Sequence, residues 1–401
     1  MSETTLRSLH IGIPKEIMED ERRVAAAPEV VHQMVDAGAL VTVQSGAGQG
    51  SYFTDDVYEA AGARLCEDPQ DVFANADLIL KVKEPRYNTI LQRHEVDMLH
   101  EGQFLIAFLH PASPANHKMV KALADRGVIS FTLDSIPRIS RAQPMDALTS
   151  MSTVAGYKGL LMAANRLPKF MPMLGTAVGM IQPAEVLVVG AGVAGLQALA
   201  TAKRLGARIK AADIRPEACE QAKSLGAGII DVGIPSEVAV GSGGYARRLP
   251  SEWLTKEREA LASHAAAADI IVLSALVPGK VAPVLITESM VEGMAPGSVI
   301  VDISADQGGN CELTEAGCRV QRHGILVDGT QNIPGTVPSS ATAMFSKNVF
   351  NFLGYLVKDG KVQMNLEDPI IGETVVTYRG RIVHAGTREA MGLDSEGEEK
   401  T

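Results

Sequence analysis

A chain of 401 residues is longer than one hydrophobic core usually organises, so two domains are expected. Hydrophobic residues make up 46% and charged residues 21%, a soluble globular balance, and no apolar run approaches the roughly 20 residues of a bilayer-crossing helix, which excludes a membrane span within this sequence. The formal charge of −10 argues against nucleic acid as a partner, because phosphate binding by counterion release needs a basic face.

Residues 1–8 contain one basic residue and no apolar block, so neither a secretory nor an organellar signal is expected and the expected compartment is the cytoplasm. Short apolar runs then alternate with helix-period segments, the pattern of βα units around a mostly parallel sheet. Strands are predicted at 10–14, 40–44, 78–82, 104–109 and 128–132, with helices at 28–37, 55–61 and 115–126; Pro28 suits a first helical position. From residue 185 the pattern restarts: strand 186–189, a glycine turn, helix 193–205 and strand 208–212. Buried strands are expected at 269–274 and 298–303, the second preceded by the turn Pro296-Gly297. Residues 233–248, rich in glycine and small side chains, read as a mobile functional loop. An amphipathic helix is predicted at 346–357, long enough to pack back on the first domain, and the acidic end of the chain is expected to be disordered.

The expected fold is therefore α/β: two Rossmann-like, doubly wound parallel-sheet domains with an interdomain cleft. The first, discontinuous domain comprises residues 1–147 and 339–390, the second 148–338, and 391–401 form a tail. The four cysteines, Cys66, Cys219, Cys311 and Cys318, have neither zinc-site spacing nor the density of a disulfide scaffold, so buried reduced thiols and no metal are expected.

Gly190-Ala191-Gly192-Val193-Ala194-Gly195 follows a predicted strand and opens a predicted helix, and Asp213 ends the next strand, which is the context a dinucleotide fingerprint requires. Gly190 permits the tight turn, Gly192 lets the backbone approach a pyrophosphate, and Gly195 allows helix to pack closely on strand. Amides of the helix N-terminus, beginning at Val193 and Ala194, would face the phosphates. Asp213 can accept two hydrogen bonds from the adenosine ribose diol and would repel a 2′-phosphate, so NAD(H) is preferred over NADP(H). Arg215 leaves the NADP(H) alternative open, since it could meet a 2′-phosphate.

Residues 137–148, PRISRAQPMDAL, join the two domains where a cleft would form. The guanidinium of Arg138, the carboxamide of Gln143 and the carboxylate of Asp146 could fix a nicotinamide carboxamide and its ribose; the plain alternative is a capped interdomain linker.

With these segments in view, the sequence resembles the NAD(H)-binding component, domain I of the alpha subunit, of proton-translocating NAD(P) transhydrogenase, from Ile11 to about His384. The resemblance is carried by PRISRAQPMDAL (137–148), VAGY (154–157), GAGVAGLQALATAKRLGA (190–207), DIRPE (213–217), GGYA (243–246), SALVPGK (274–280) and GGNCELTEAG (308–317). It departs at Pro144 and Thr149, where the family has serine. The resemblance implies that Arg138, Ile139, Gln143 and Asp146 hold NADH, with Gln143 bridging toward a second nucleotide, and that Ile214 and Arg215 join Asp213 around the adenosine ribose. Gly244 and Tyr245 would lie on a loop that closes over the nucleotide, and Leu276 would line its pocket. Hydride would pass directly from NADH here to NADP+ on a partner subunit, so proximity would be the catalyst, with the two rings held roughly 3–3.5 Å apart. Proton translocation would belong to membrane-embedded partners, this chain meeting the membrane only through them, and a homodimer is implied.

Alanine dehydrogenase shares this fold and much of the glycine region, and four residues look like its substrate site: Arg23, Lys83, His110 and Asp306. Arg23 could clamp a carboxylate, Lys83 polarise a keto oxygen, His110 act as acid and base, and Asp306 orient a developing amine. Each also reads plainly as an ion pair, a strand-end histidine or a loop carboxylate. The segments 137–148, 241–246 and 348–353 follow the transhydrogenase pattern, which makes that reading the preferred one; a chain that binds NAD without turnover is the third.

Overall fold

The computed structural model describes residues 5–241, 246–277 and 281–393. The chain divides into two compact units, one formed by residues 1–151 and 335–401, the other by 152–334.

In the first unit, six parallel strands run Ile129–Thr132, Phe104–Phe108, Leu78–Lys83, His10–Ile13, Leu40–Gln44 and Arg64–Cys66 across the sheet. Strand order reverses between His10–Ile13 and Leu78–Lys83, the kind of point at which doubly wound sheets bind ligands. Val375–Tyr378 and Arg381–Ile382, which sequence reading did not predict, extend the sheet antiparallel beyond Ile129–Thr132. Helix His117–Asp125 buries Met119, Val120, Leu123 and Ala124 in a cluster with Leu105, Ala107 and Val376. Each large aliphatic side chain so buried contributes roughly 1.5–3 kcal/mol.

The helix predicted at 346–357 is Pro338–Leu356 in the structure. Its earlier start follows from Pro338 in the first turn and from the burial of Thr342 and Ser346, polar residues that interrupt an apolar stripe when read as sequence. Thr342 is satisfied inside: its hydroxyl lies 2.7 Å from Ser51 Oγ and accepts from Val24 N–H at 3.2 Å.

In the second unit the strand order is Gly228–Ile229, Arg208–Ala212, Glu185–Val189, Ile270–Leu273, Val299–Asp302, Ile325–Asp328 and Arg319–Arg322; only the last is antiparallel to its neighbour. The sheet is covered on both faces. Val186, Val188, Ile270, Val272, Val299 and Val301 enter one core, while Leu187, Val189, Ile271, Leu273 and Ile300 enter another. Uninterrupted apolar runs are what such two-sided burial requires. Order reverses between Glu185–Val189 and Ile270–Leu273.

The four cysteines are free thiols, but only Cys311 is buried; Cys66 and Cys219 are half-buried and Cys318 is exposed, which corrects the expectation of four buried thiols. Among the described residues no helix is long and apolar enough to cross a membrane.

Candidate functional site

The glycine loop sits at the order reversal of the second unit's sheet, between strand Glu185–Val189 and helix Val193–Arg204. Gly190 adopts φ +90°, its N–H donating to Ala212 O at 2.8 Å and its carbonyl accepting from Ser274 Oγ at 2.8 Å. Gly192 is the N-cap, no side chain caps the helix, and its first turn carries no acid. A Cβ on Gly192 would meet only Arg215 Nη2, at 3.8 Å, so this face of the loop is open. At Gly195 a Cβ would collide with the Gly190 carbonyl, so the helix rests directly on the turn. Val193 and Ala194, both half-buried, supply the first helical amides. An uncapped helix N-terminus behind an open glycine face is a cradle that fits a pyrophosphate.

Asp213 fixes the second wall. Its Oδ2 accepts from Ala191 N–H at 2.8 Å and its Oδ1 from Arg215 N–H at 2.8 Å. Arg215 closes a two-point pair on the same carboxylate, Nε to Oδ1 at 3.0 Å and Nη2 to Oδ2 at 2.8 Å. The Asp213 carboxylate thereby raises the Arg215 pKa, although burial opposes it. In this structure Arg215 therefore serves Asp213. Ile214, beside them, packs half-buried on the apolar cluster.

Sequence reading missed the groups that hold the third wall. Asn310, fully buried, donates from Nδ2 to the carbonyls of Ala275 and Pro283 and accepts from Ala275 N–H and Ser304 Oγ. Asp302 accepts from the N–H groups of Ser304, Asn310 and Cys311 and from Thr314 Oγ1. Together they lock the segment carrying Ser274 and Leu276, the latter 38% exposed. Gly156 is a second missed device: a Cβ there would stand 2.7 Å from the Ala194 carbonyl carbon, so helix Ala147–Arg166 packs on the first turn of Val193–Arg204. Asn310 and Gly156 lie inside motifs already singled out, GGNCELTEAG and VAGY; Asp302 lies outside them. Gly244 and Tyr245 lie outside the described residues.

The loop 137–148 belongs largely to a 3-10 helix, Ser140–Met145, held on helix Pro338–Leu356 of the first unit. Asn348 and Asn351 each donate from Nδ2 to the Pro144 carbonyl, at 2.9 and 3.1 Å, and Arg141 pairs with Asp368 at 3.2 Å. Arg138, Ile139 and Gln143 are exposed. Asp146 is half-buried and caps helix Ala147–Arg166, accepting from Thr149 N–H at 2.8 Å and Thr149 Oγ1 at 2.6 Å. The geometry thus gives this carboxylate the role of a helix cap.

Just past the ends of strands Leu78–Lys83, Phe104–Phe108 and Ile129–Thr132 lies a second polar cluster. His110, in the left-handed region at φ +44°, places Nδ1 3.5 Å from Glu84 and Nε2 3.4 Å from Asp134. Burial disfavours the charged ring, but the two carboxylates outweigh it and raise the His110 pKa; burial would likewise lift Glu84, yet the imidazole beside it holds that carboxyl down at about 2. Arg23 is buried in a pair with Glu21, Nε to Oε1 at 2.8 Å and Nη2 to Oε2 at 2.5 Å. Lys83 ends its strand half-buried, and Asp306 is exposed in the second unit. On the strand that ends at Lys83, and unforeseen from sequence, Lys81 is buried between Glu16 at 3.2 Å and Glu95 at 2.9 Å. Burial pushes Glu16 up to about 7 despite Lys81.

Family models of the alanine dehydrogenase/PNT N-terminal and C-terminal domains match residues 12–155 and 159–385. The chain is 43% identical over 379 residues to an NAD(P) transhydrogenase alpha-subunit polypeptide of Rhodospirillum rubrum, covering 94% of this chain and 98% of that one. It is 30% identical over 391 residues to an alanine dehydrogenase of Methanococcus maripaludis, covering 96% of each. The crystal structure of transhydrogenase from Sinorhizobium meliloti matches with a TM-score of 0.81 at 38% identity, over 93% of this chain and 100% of that one. Fold, glycine loop and these likenesses agree: the chain belongs to the alanine dehydrogenase/PNT family of oxidoreductases, on the side of the NAD(P) transhydrogenase alpha subunits.

Proposed function

We propose that this chain is the NAD(H)-binding component of a proton-translocating NAD(P) transhydrogenase. When bound, NADH supplies the hydride that reduces NADP+ held by a partner subunit. One observation carries the reading: an uncapped helix N-terminus behind the open Gly192, with Asp213 tied to the same turn through Ala191 N–H. Val193, Ala194 and Gly195 would bind the diphosphate and Asp213 the ribose diol, with Ile214 and Leu276 as apolar walls. Arg215 must release at least part of its hold on Asp213 to admit that diol. For Arg138, Ile139, Gln143 and Asp146 as nicotinamide-side ligands, and for Gly244 and Tyr245 as a closing loop, the support is the resemblance of their segments. It is likewise the support for a homodimer and for membrane association only through NADP(H)-binding and membrane-embedded subunits. No general acid or base is required, so this chain orients the ring and excludes water.

A second reading, an amino-acid dehydrogenase, is favoured by the His110, Glu84 and Asp134 cluster. Against it stands Arg23, whose guanidinium is committed to Glu21. The separating experiment is hydride transfer from NADH after adding an NADP(H)-binding component, beside reductive amination of pyruvate by the chain alone. Turnover in the second assay, abolished by His110→Ala, would replace the transhydrogenase reading.

A further inference from the structure

Helix Pro338–Leu356 bears on the loop 137–148 through three polar side chains of one face, Asn348, Asn351 and Tyr355, spaced as i, i+3 and i+7. Asn348 and Asn351 send their Nδ2 donors to a single acceptor, the Pro144 carbonyl, at 2.9 and 3.1 Å. Tyr355 Oη donates to Asp368 Oδ2 at 2.6 Å, the same oxygen that receives Arg141 Nη2 at 3.2 Å. The 3-10 helix Ser140–Met145 is thereby tied at two points, with Ala142 and Met145 buried. Arg138, Ile139 and Gln143 remain exposed, so the loop is held from behind while these side chains stay free.

Local preference does not hold this turn. A residue that precedes proline favours extended backbone, yet Gln143 precedes Pro144 inside the 3-10 helix. Pro144 has no N–H, so its carbonyl is the only backbone group it offers a neighbour. Asn348 shows what the clamp requires. It is 7% exposed, and because the Pro144 oxygen can only accept, its amide must turn Nδ2 toward that oxygen. Its Oδ1 is then buried and, among the described residues, meets no donor. A leucine would fill the position without burying an orphan acceptor, so packing alone does not account for this amide.

We propose that Asn348 and Asn351 are positioning residues for hydride transfer: by fixing the Pro144 carbonyl they fix the adjoining Gln143 carboxamide, and with it the nicotinamide ring that this loop orients. The inference rests on the transhydrogenase reading above and deepens it. In that reading the glycine loop and Asp213 grip the other end of the dinucleotide, so loosening the clamp displaces the ring far more than it weakens binding. A ring displaced by about 1 Å loses on the order of 100-fold in rate.

The test compares wild-type chain with the double variant Asn348→Leu, Asn351→Leu. It reads NADH Kd by nicotinamide fluorescence, Tm, and the rate of hydride transfer to NADP+ at saturating NADH after an NADP(H)-binding component is added. The expected result is a split: transfer slowed about 10- to 100-fold, NADH Kd changed less than about threefold. Tm should stay within about 3 °C, since removal of the orphan acceptor offsets the lost hydrogen bonds. Should the double variant not fold, Asn351→Ala removes one of the two donors at an exposed position, and transfer should slow about three- to tenfold at unchanged Kd. A folded variant with unchanged transfer, or one whose slower transfer disappears when NADH is raised, overturns the proposal, because the clamp then serves stability or affinity alone. Wild-type chain that binds NADH but transfers no hydride rejects the transhydrogenase reading and this inference with it; transfer that wild type and folded variants share rejects the clamp alone.

Discussion

Replacing Gly190 by alanine tests whether the tight turn is what aims the helix amides. The residue adopts φ +90°, and a Cβ would stand 2.6 Å from Ala275 N, 2.7 Å from Ser274 C and 2.8 Å from Ala275 Cα. These are backbone atoms at the end of a strand and cannot rotate aside. Ordinary contact needs about 3.4 Å or more, so turn or strand end must retreat by roughly 0.7 Å. Holding alanine at positive φ costs about 1–3 kcal/mol and overpacking about 1–3 kcal/mol more. In a unit of this size each kcal/mol lowers Tm by about 2–4 °C, so a fall on the order of 5–20 °C is expected. Because the displaced turn carries the phosphate-facing amides, NADH Kd should rise by at least about tenfold. Thermal unfolding and NADH titration would be run beside Gly175→Ala, where a Cβ meets nothing within 4 Å and no change is expected. A Gly190→Ala chain that melts within about 2 °C of wild type and binds NADH within about twofold would refute the reasoning.

Asp213→Asn removes a charged acceptor that serves Ala191, Arg215 and the expected ribose diol, so NADH Kd should rise by about 10- to 1000-fold in titration; an unchanged Kd would remove Asp213 from the site. Lys81→Met leaves Glu16 and Glu95 buried together without their cation, a loss of about 3–5 kcal/mol expected in urea unfolding, and a loss below about 1 kcal/mol would show that water reaches the triad. Glu16 and Glu257 both have folded pKa values near 7, above the ordinary 4.5, so their contribution is full below about pH 4.5 and is lost as pH rises through 7. The unfolding free energy should therefore decline across that window, by up to about 3 kcal/mol for Glu16, and Glu16→Gln should flatten the profile. A profile equally steep in Glu16→Gln would contradict the assignment.

The phosphate loop was legible because all its determinants are consecutive: strand, glycines and helix follow one another in the chain, and Asp213 closes the next strand. Helix Pro338–Leu356 was legible only in its second half, since Thr342 reveals its burial only when Ser51 and Val24 are seen against it. Lys81 reads as a surface lysine in any local window, and Asn310 as a loop amide. Arg215 reads as a potential phosphate ligand in the sequence, whereas in the fold it closes a two-point pair on Asp213. Strands Val375–Tyr378 and Arg381–Ile382 are too short to announce themselves without the neighbour they extend.

From the sequence alone came the alternation of strands and helices, the two-fold repetition of a doubly wound pattern, and the position of the glycine turn, because periodicity and turn chemistry act over a few residues. Only the tertiary structure decided which charged groups are buried together, such as Lys81 with Glu16 and Glu95. Burial and charge pairing depend on side chains brought close from distant segments, and no local window of the sequence contains that proximity.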